Sequence, residues 1–136
     1  MTQKDKELLL KDICARLPYG VKMNHIADDE HSPKTLIGVA KDMITLEGLG
    51  GYECVDTEDY KPYLFPLSSI TDEQERELSK LGVSYGEYAL HDDIRGLGIM
   101  VDEAYIFFEF CYKHHIDFLG LIEMGLAIDA TGKGIY

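Results

Sequence analysis

The apolar residues Leu9, Leu10, Ile13, Cys14 and Leu17 recur at spacings of three and four, the period of one helix face. The lysines and aspartates between them are left for the opposite face. Thr2 is placed to cap this helix, and Pro18 and Gly20 to end it. The period then changes. Val21 to Ile26 mixes apolar and polar residues in short alternation, and the polar turn Asp28-Asp29-Glu30-His31-Ser32-Pro33 follows. Thr35 to Val39 and Met43 to Leu46 are apolar or β-branched runs split by the charged step Lys41-Asp42, the pattern of a hairpin or of a bent strand. Gly48-Leu49-Gly50-Gly51 interrupts regular structure before Tyr52 to Val55, and a last extended run covers Tyr60 to Phe65. Pro62 and Pro66 predict that this last run is an edge strand, because proline cannot donate to a ladder.

Beyond Phe65 the helical period returns. Thr71 to Gln74 has the spacing of a capping box, and Leu78 and Leu81 give the helix that follows a thin apolar edge, so it is expected to be short and exposed up to Gly82. Residues 83–99 mix Tyr85, Tyr88, Leu90, Ile94, Leu97 and Ile99 with three glycines and fit neither period. From Val101, the positions Val101, Ala104, Tyr105, Phe108, Cys111 and Tyr112 trace one broad face, widened by Phe107 and Phe110, which predicts the central buried helix. Lys113, His114 and His115 fall in its last turn, where such side chains meet unsatisfied carbonyls. A second short helix is predicted over Phe118 to Met124, closed by Gly125, and the tail from Thr131 to Tyr136 is expected to fray.

These elements make an α+β protein, a single domain over residues 1–136. A small, mainly antiparallel sheet from residues 20–66 is packed by the N-terminal helix and the C-terminal helices. The predicted core is Leu10, Ile13, Leu17, Ile37, Ile44, Tyr63, Ala104, Phe108, Leu121 and Leu126.

The length of 136 residues suits one domain, and 46% hydrophobic with 28% charged residues excludes disorder as the global state. Three widely spaced cysteines, an odd number, suit a reducing compartment. The charged start is followed by only three consecutive leucines, too few for a leader or a membrane span, so a cytoplasmic protein away from membranes is expected. The net charge is −12, yet residues 1–22 hold five bases (Lys4, Lys6, Lys11, Arg16, Lys22) against three acids. Nucleic-acid binding is therefore disfavoured over most of the chain, and the N-terminal helix is the one place for a phosphate contact, against the plainer reading of a solvated face.

Candidate chemistry is sparse. Cys111, His114, His115 and Asp117 have the atom types of a zinc site, with Cys111 and His115 four apart on one helix side, although adjacent histidines diverge by about 100° and no second ligand pair occurs. Packing and capping are the competing roles. His91-Asp92-Asp93 and the Ser68-Ser69 pair offer a base and hydroxyls without a nucleophile elbow. Gly48 to Gly51 lacks the ending and spacing of a phosphate loop, the acidic stretches Asp28 to Glu30 and Glu53 to Asp59 lack the alternation of a calcium loop, and no cofactor is implied. Of nine tyrosines, Tyr52, Tyr60, Tyr63, Tyr85 and Tyr88 lie outside the strong helical stripe. They are candidates for binding a partner protein, or else rings that cover the sheet with wet hydroxyls.

Three segments carry a resemblance: Leu17-Pro18-Tyr19-Gly20-Val21-Lys22, Lys61-Pro62-Tyr63-Leu64-Phe65-Pro66-Leu67-Ser68-Ser69-Ile70-Thr71, and Asp117-x-x-Gly120-Leu121-Ile122-Glu123-x-Gly125-Leu126-Ala127. Together they resemble a family of small uncharacterised proteins of gut Bacteroidales and their prophages or mobile elements. In such relatives the positions of Leu119 and Met124 are often basic, so this member has lost positive charge there. The resemblance implies an accessory protein and no activity. The expectation is a non-catalytic protein that binds an unknown protein partner, with homo-oligomerisation left open. The alternatives are a metal-assisted hydrolase using Cys111, His114, His115 and Asp117, and an acidic decoy of a DNA-binding protein.

Overall fold

Helix α1 (Gln3–Arg16) starts at Thr2, whose side chain accepts from the Asp5 N–H at 3.1 Å while the Asp5 carboxylate accepts from the Thr2 N–H at 3.0 Å. The box satisfies two of the donors that a helix start leaves open. The structure is a computed structural model and describes residues 1–28, 32–82 and 101–136. The predictions for residues 83–99 lie outside them.

Four strands follow α1 in a meander, β1 (Lys22–His25), β2 (Lys34–Val39), β3 (Met43–Gly48) and β4 (Gly51–Asp56), and β5 (Tyr60–Pro66) then returns to pair with β1 on the far side. The short strands β6 (Ile116–Asp117) and β7 (Ile128–Asp129) complete a seven-stranded sheet of order β4-β3-β2-β1-β5-β6, with β7 also on β5. The pairs among β1 to β5 are antiparallel, and only the two late strands join in parallel. The protein is thus α+β, with a mainly antiparallel sheet.

β5 is not an edge strand: it pairs with β1, β6 and β7. The register explains how Pro62 fits. Ile26 N–H donates to the Asp59 carbonyl at 2.9 Å. In the same alternation the next hydrogen-bonded step is Asn24 with Lys61, so Pro62, opposite Met23, owes β1 no N–H.

One sheet face buries Leu36, Ile44, Leu46, Met23 and Leu64 against Leu9 and Ile13 of α1 and against Leu121, Leu126 and Ala127. A second cluster joins helix α2 (Asp72–Lys80) to helix α3 (Val101–Lys113) and β6 through Leu78, Phe107, Phe110, Cys111 and Ile116. The predicted core shifts in detail. Leu9, not Leu10, is fully buried on α1, and on α3 the deep positions are Phe107, Phe110 and Cys111, while Ala104 and Phe108 are half-buried and Tyr105 is exposed. Ile37 leaves the core because a bulge between Leu36 and Gly38 interrupts the two-residue alternation and turns its side chain outward.

The helix expected over Phe118 to Met124 is a single turn. Met124 N–H reaches the Gly120 carbonyl at 3.2 Å, and then Leu126 and Ala127 both return to the Leu121 carbonyl, at 2.9 and 3.2 Å. Gly120 (φ 80°) and Gly125 (φ 77°) hold left-handed backbone at its two ends and stop the helix growing.

Candidate functional site

The predicted zinc cluster is the first place to look, and its four members do different jobs. Cys111 is fully buried in the second apolar cluster, and burial pushes its thiol up to about 12, so the thiolate that a metal needs is disfavoured. His114 Nε2 faces Glu77 of α2 at 3.0 Å, and Lys113 reaches the same carboxylate at 3.4 Å. The last-turn side chains predicted to cap α3 therefore clamp it to α2 instead. His115 has φ 59°, the left-handed position that ends α3, and its ring stacks on Tyr136 at 3.8 Å and 11°. Asp117 is buried, and its two oxygens accept from the Leu121 and Ile122 N–H groups, each at 2.9 Å. Among the described residues no group of three or more His, Cys, Asp or Glu is placed to hold a metal ion.

The Asp117 contacts give its sequence segment a structural meaning. Asp117 caps the turn, Gly120 and Gly125 supply its positive φ angles, and Leu121, Leu126 and Ala127 fill the core beneath it. Leu119 and Met124 stand exposed on the same turn. Asp117→Ala is expected to cost about 1 kcal/mol, the usual worth of such a cap, read as a lower urea midpoint with an unchanged slope. An unchanged midpoint would show that the cap carries no load.

The carbonyl of Cys111, one of the last in α3, is satisfied from α1. Arg16 Nη1 donates to it at 3.3 Å and Nη2 donates to the Ile116 carbonyl at 2.7 Å, while Nε and Nη2 hold the Asp12 carboxylate at 2.8 and 3.1 Å. Both side chains are fully buried, and the guanidinium lies 5.3 Å from the Tyr112 ring centroid. Burial raises the Asp12 pKa above the ordinary carboxylate value although Arg16 pulls it down. The sequence pattern puts Asp12 on the solvated side of the helix and Arg16 among the bases open to a phosphate contact. The structure removes Arg16 from that face, pairs Lys6 with Glu58, and points Lys22 at the Thr35 hydroxyl.

The remaining hydroxyl candidates are also committed to structure. Ser69 Oγ donates to the Pro66 carbonyl at 2.6 Å in the turn before α2, and Gly48 to Gly51 joins β3 to β4. His91-Asp92-Asp93 lies outside the described residues. A groove of about 330 Å³ between α2 and α3 has Tyr19, Glu77, Glu109 and Lys113 on its rim, but these pair with one another: Tyr19 Oη with Glu109 at 3.4 Å, and Lys113 with Glu77.

The tyrosines divide. Tyr63 is fully buried and Tyr60 nearly so, packed edge-on against His25 at 5.1 Å, and burial raises both phenols. They cover the sheet core and present nothing to a partner; Tyr85 and Tyr88 fall outside the described residues. Tyr52 is 73% exposed. Its neighbours define an outer sheet face that faces solvent. Tyr52 pairs with Glu47, Cys54 with Thr45, and Asp56 with Met43, and directly paired residues share a face. Tyr52, Cys54, Met43, Glu47 and Asp56 are all exposed, and the bulged Ile37 joins them from β2. The alternation from Met43 to Asp56 carried this face in the sequence, hidden because hydrophobic residues stand on both sides of the strands.

No family model matches the chain, and neither a curated protein nor a solved structure matches it.

Proposed function

We propose that this chain is a non-catalytic accessory protein that acts by binding another protein through the outer face of β2, β3 and β4. One observation carries the reading: Tyr52, Met43 and Ile37 are 73%, 47% and 40% exposed on one sheet face, beside a fully exposed Leu49 in the adjoining turn. Exposed aromatic and methionine side chains gathered on a rigid sheet are what recognition surfaces are made of. The likeness of the Asp117 to Ala127 segment to proteins of gut Bacteroidales mobile elements supports an accessory role in that setting, in the cytoplasm. The metal-assisted hydrolase lacks comparable support, because its four residues are already engaged in packing, clamping, stacking and capping.

The test is affinity capture from native host lysate with the parent protein beside a Met43→Glu/Tyr52→Glu variant, with fold checked by circular dichroism. A protein retained stoichiometrically by the parent and lost from the variant is expected. The same retained proteins in both captures would overturn the reading.

A further inference from the structure

β4 ends the sheet, and its outward edge has no strand beside it among the described residues. Which of its backbone groups face outward follows from the register. Thr57 N–H donates to the Asp42 carbonyl at 3.2 Å, in step with the pairs Met43 with Asp56 and Ile44 with Val55. The hydrogen-bonded steps to β3 therefore fall at Val55, Glu53 and Gly51. The N–H and C=O groups of Tyr52, Cys54 and Asp56 point the other way, as an open template for another strand.

Acids outnumber bases around this edge, where Lys6, Lys34 and Lys41 are the nearby cations. Residues 42–60 contain six acids and no Lys, Arg or His. Glu53 and Glu58 are matched by Lys34 and Lys6, but among the described residues Asp42, Glu47, Asp56 and Asp59 have no cation in ion-pair range and all four are exposed. A second copy would bring the same six acids against themselves. An occupant of opposite sign is drawn in.

We propose that β4 is an annealing site for an extended basic segment of a partner protein, which adds a strand to the sheet by pairing with Tyr52, Cys54 and Asp56 and rests its apolar side chains beside Tyr52. This rests on the interaction reading above and names the chemistry of the partner. Backbone pairing supplies affinity in this mode, and the acids supply the sign preference.

The probe is a peptide of alternating lysine and valine as long as β4, titrated into the folded protein by NMR. Two controls accompany it: the peptide N-methylated at alternate residues, and its acidic counterpart with glutamate in place of each lysine. Shifts confined to β4 and its outer face are expected, with affinity falling as salt rises. Methylating the donors, or introducing Cys54→Pro, is expected to weaken binding about tenfold, the equivalent of roughly one to two ladder bonds. Cys54→Pro removes an outward N–H and the exposed 3.5 Å contact of Cys54 Sγ with Thr45 Oγ1, and should lower the unfolding midpoint only slightly, whereas Val55→Pro breaks the β3 ladder and should lower it sharply. The N-methylated peptide makes the same test without any change to the protein. Equal binding by the methylated or acidic peptide, or no binding at millimolar concentration, overturns strand annealing. So does concentration-dependent dimerisation abolished by Cys54→Pro, which would assign the edge to a second copy. The two readings fail separately: a captured partner that is lost with Met43→Glu/Tyr52→Glu but kept by Cys54→Pro leaves the face standing and removes the strand.

Discussion

Arg16→Met is expected to destabilise the fold by about 3–5 kcal/mol, the cost of removing one partner of a buried ion pair. That is a large share of the ~5–15 kcal/mol that holds a typical domain together. The side chain touches Asp12 in α1, the Cys111 carbonyl at the end of α3 and the Ile116 carbonyl in β6, and so pins one apolar cluster to the other. Without it, Asp12 is a buried carboxylate with no counter-charge, and two buried carbonyls lose their donor. The pH dependence identifies the cause. Burial already sets the folded Asp12 pKa above its ordinary value, and losing Arg16 raises it further. A raised carboxyl favours the fold below the unfolded pKa, and that contribution is lost as pH rises through the folded pKa. The deficit of Arg16→Met should therefore be smallest in acid and grow toward neutrality. Replacing Asp12 and Arg16 together by leucine and methionine should recover much of the loss. Urea unfolding of the three variants across pH reads all of this, and a loss under about 1 kcal/mol at neutral pH would show that Arg16 is not the pin.

The meander was legible in the sequence because local rules decide it. Thr2 and Thr71 are capping residues with partners three positions on, and the strands from Lys22 to Pro66 are bounded by turns the residues name. What was not legible depends on partners distant in sequence. Asp12 and Arg16 look like surface charges on an amphipathic helix, and only the carbonyls of Cys111 and Ile116, 95 and 100 residues away, make their burial affordable. Pro62 reads as an edge signal until the register shows that its missing N–H falls at a step where β1 needs none. The histidines read as a metal motif by atom type, yet α3 stops at Lys113 just before them, and His114 goes to Glu77 and His115 to Tyr136. The open edge of β4 is likewise a fact of strand order, which alternation alone cannot supply.

Tyr136 is the last large effect, and it reverses the expectation of a frayed tail. Lys22 with Tyr63 would be the next hydrogen-bonded step of the β1–β5 ladder, and the Tyr136 hydroxyl stands inside it: Lys22 N–H donates to Tyr136 Oη at 2.9 Å, and the hydroxyl donates to the Tyr63 carbonyl at 2.7 Å. Burial raises this phenol, so the hydroxyl keeps its proton to higher pH than an ordinary tyrosine. Tyr136→Phe keeps the ring and removes the link, and is expected to cost about 2 kcal/mol. The ring has a second role. It covers His115, whose buried Nδ1 has no hydrogen-bond partner among the described residues, and burial, with Arg16, His114 and Lys22 nearby, lowers the His115 pKa from 6.5 to about 4. A depressed histidine favours the fold above its unfolded value, and that contribution is lost as pH falls from 6.5 toward 4. Because the imidazole is only part-buried, screening leaves about 1–2 kcal/mol of the shift. His115→Asn, which tolerates left-handed backbone, should flatten this part of the acid profile, and Tyr136→Phe should leave it, since the stacked ring remains. Tyr136→Ala uncovers the imidazole and should move its NMR titration back toward 6.5; a His115 titration that ignores Tyr136→Ala would show that the tail does not shield it.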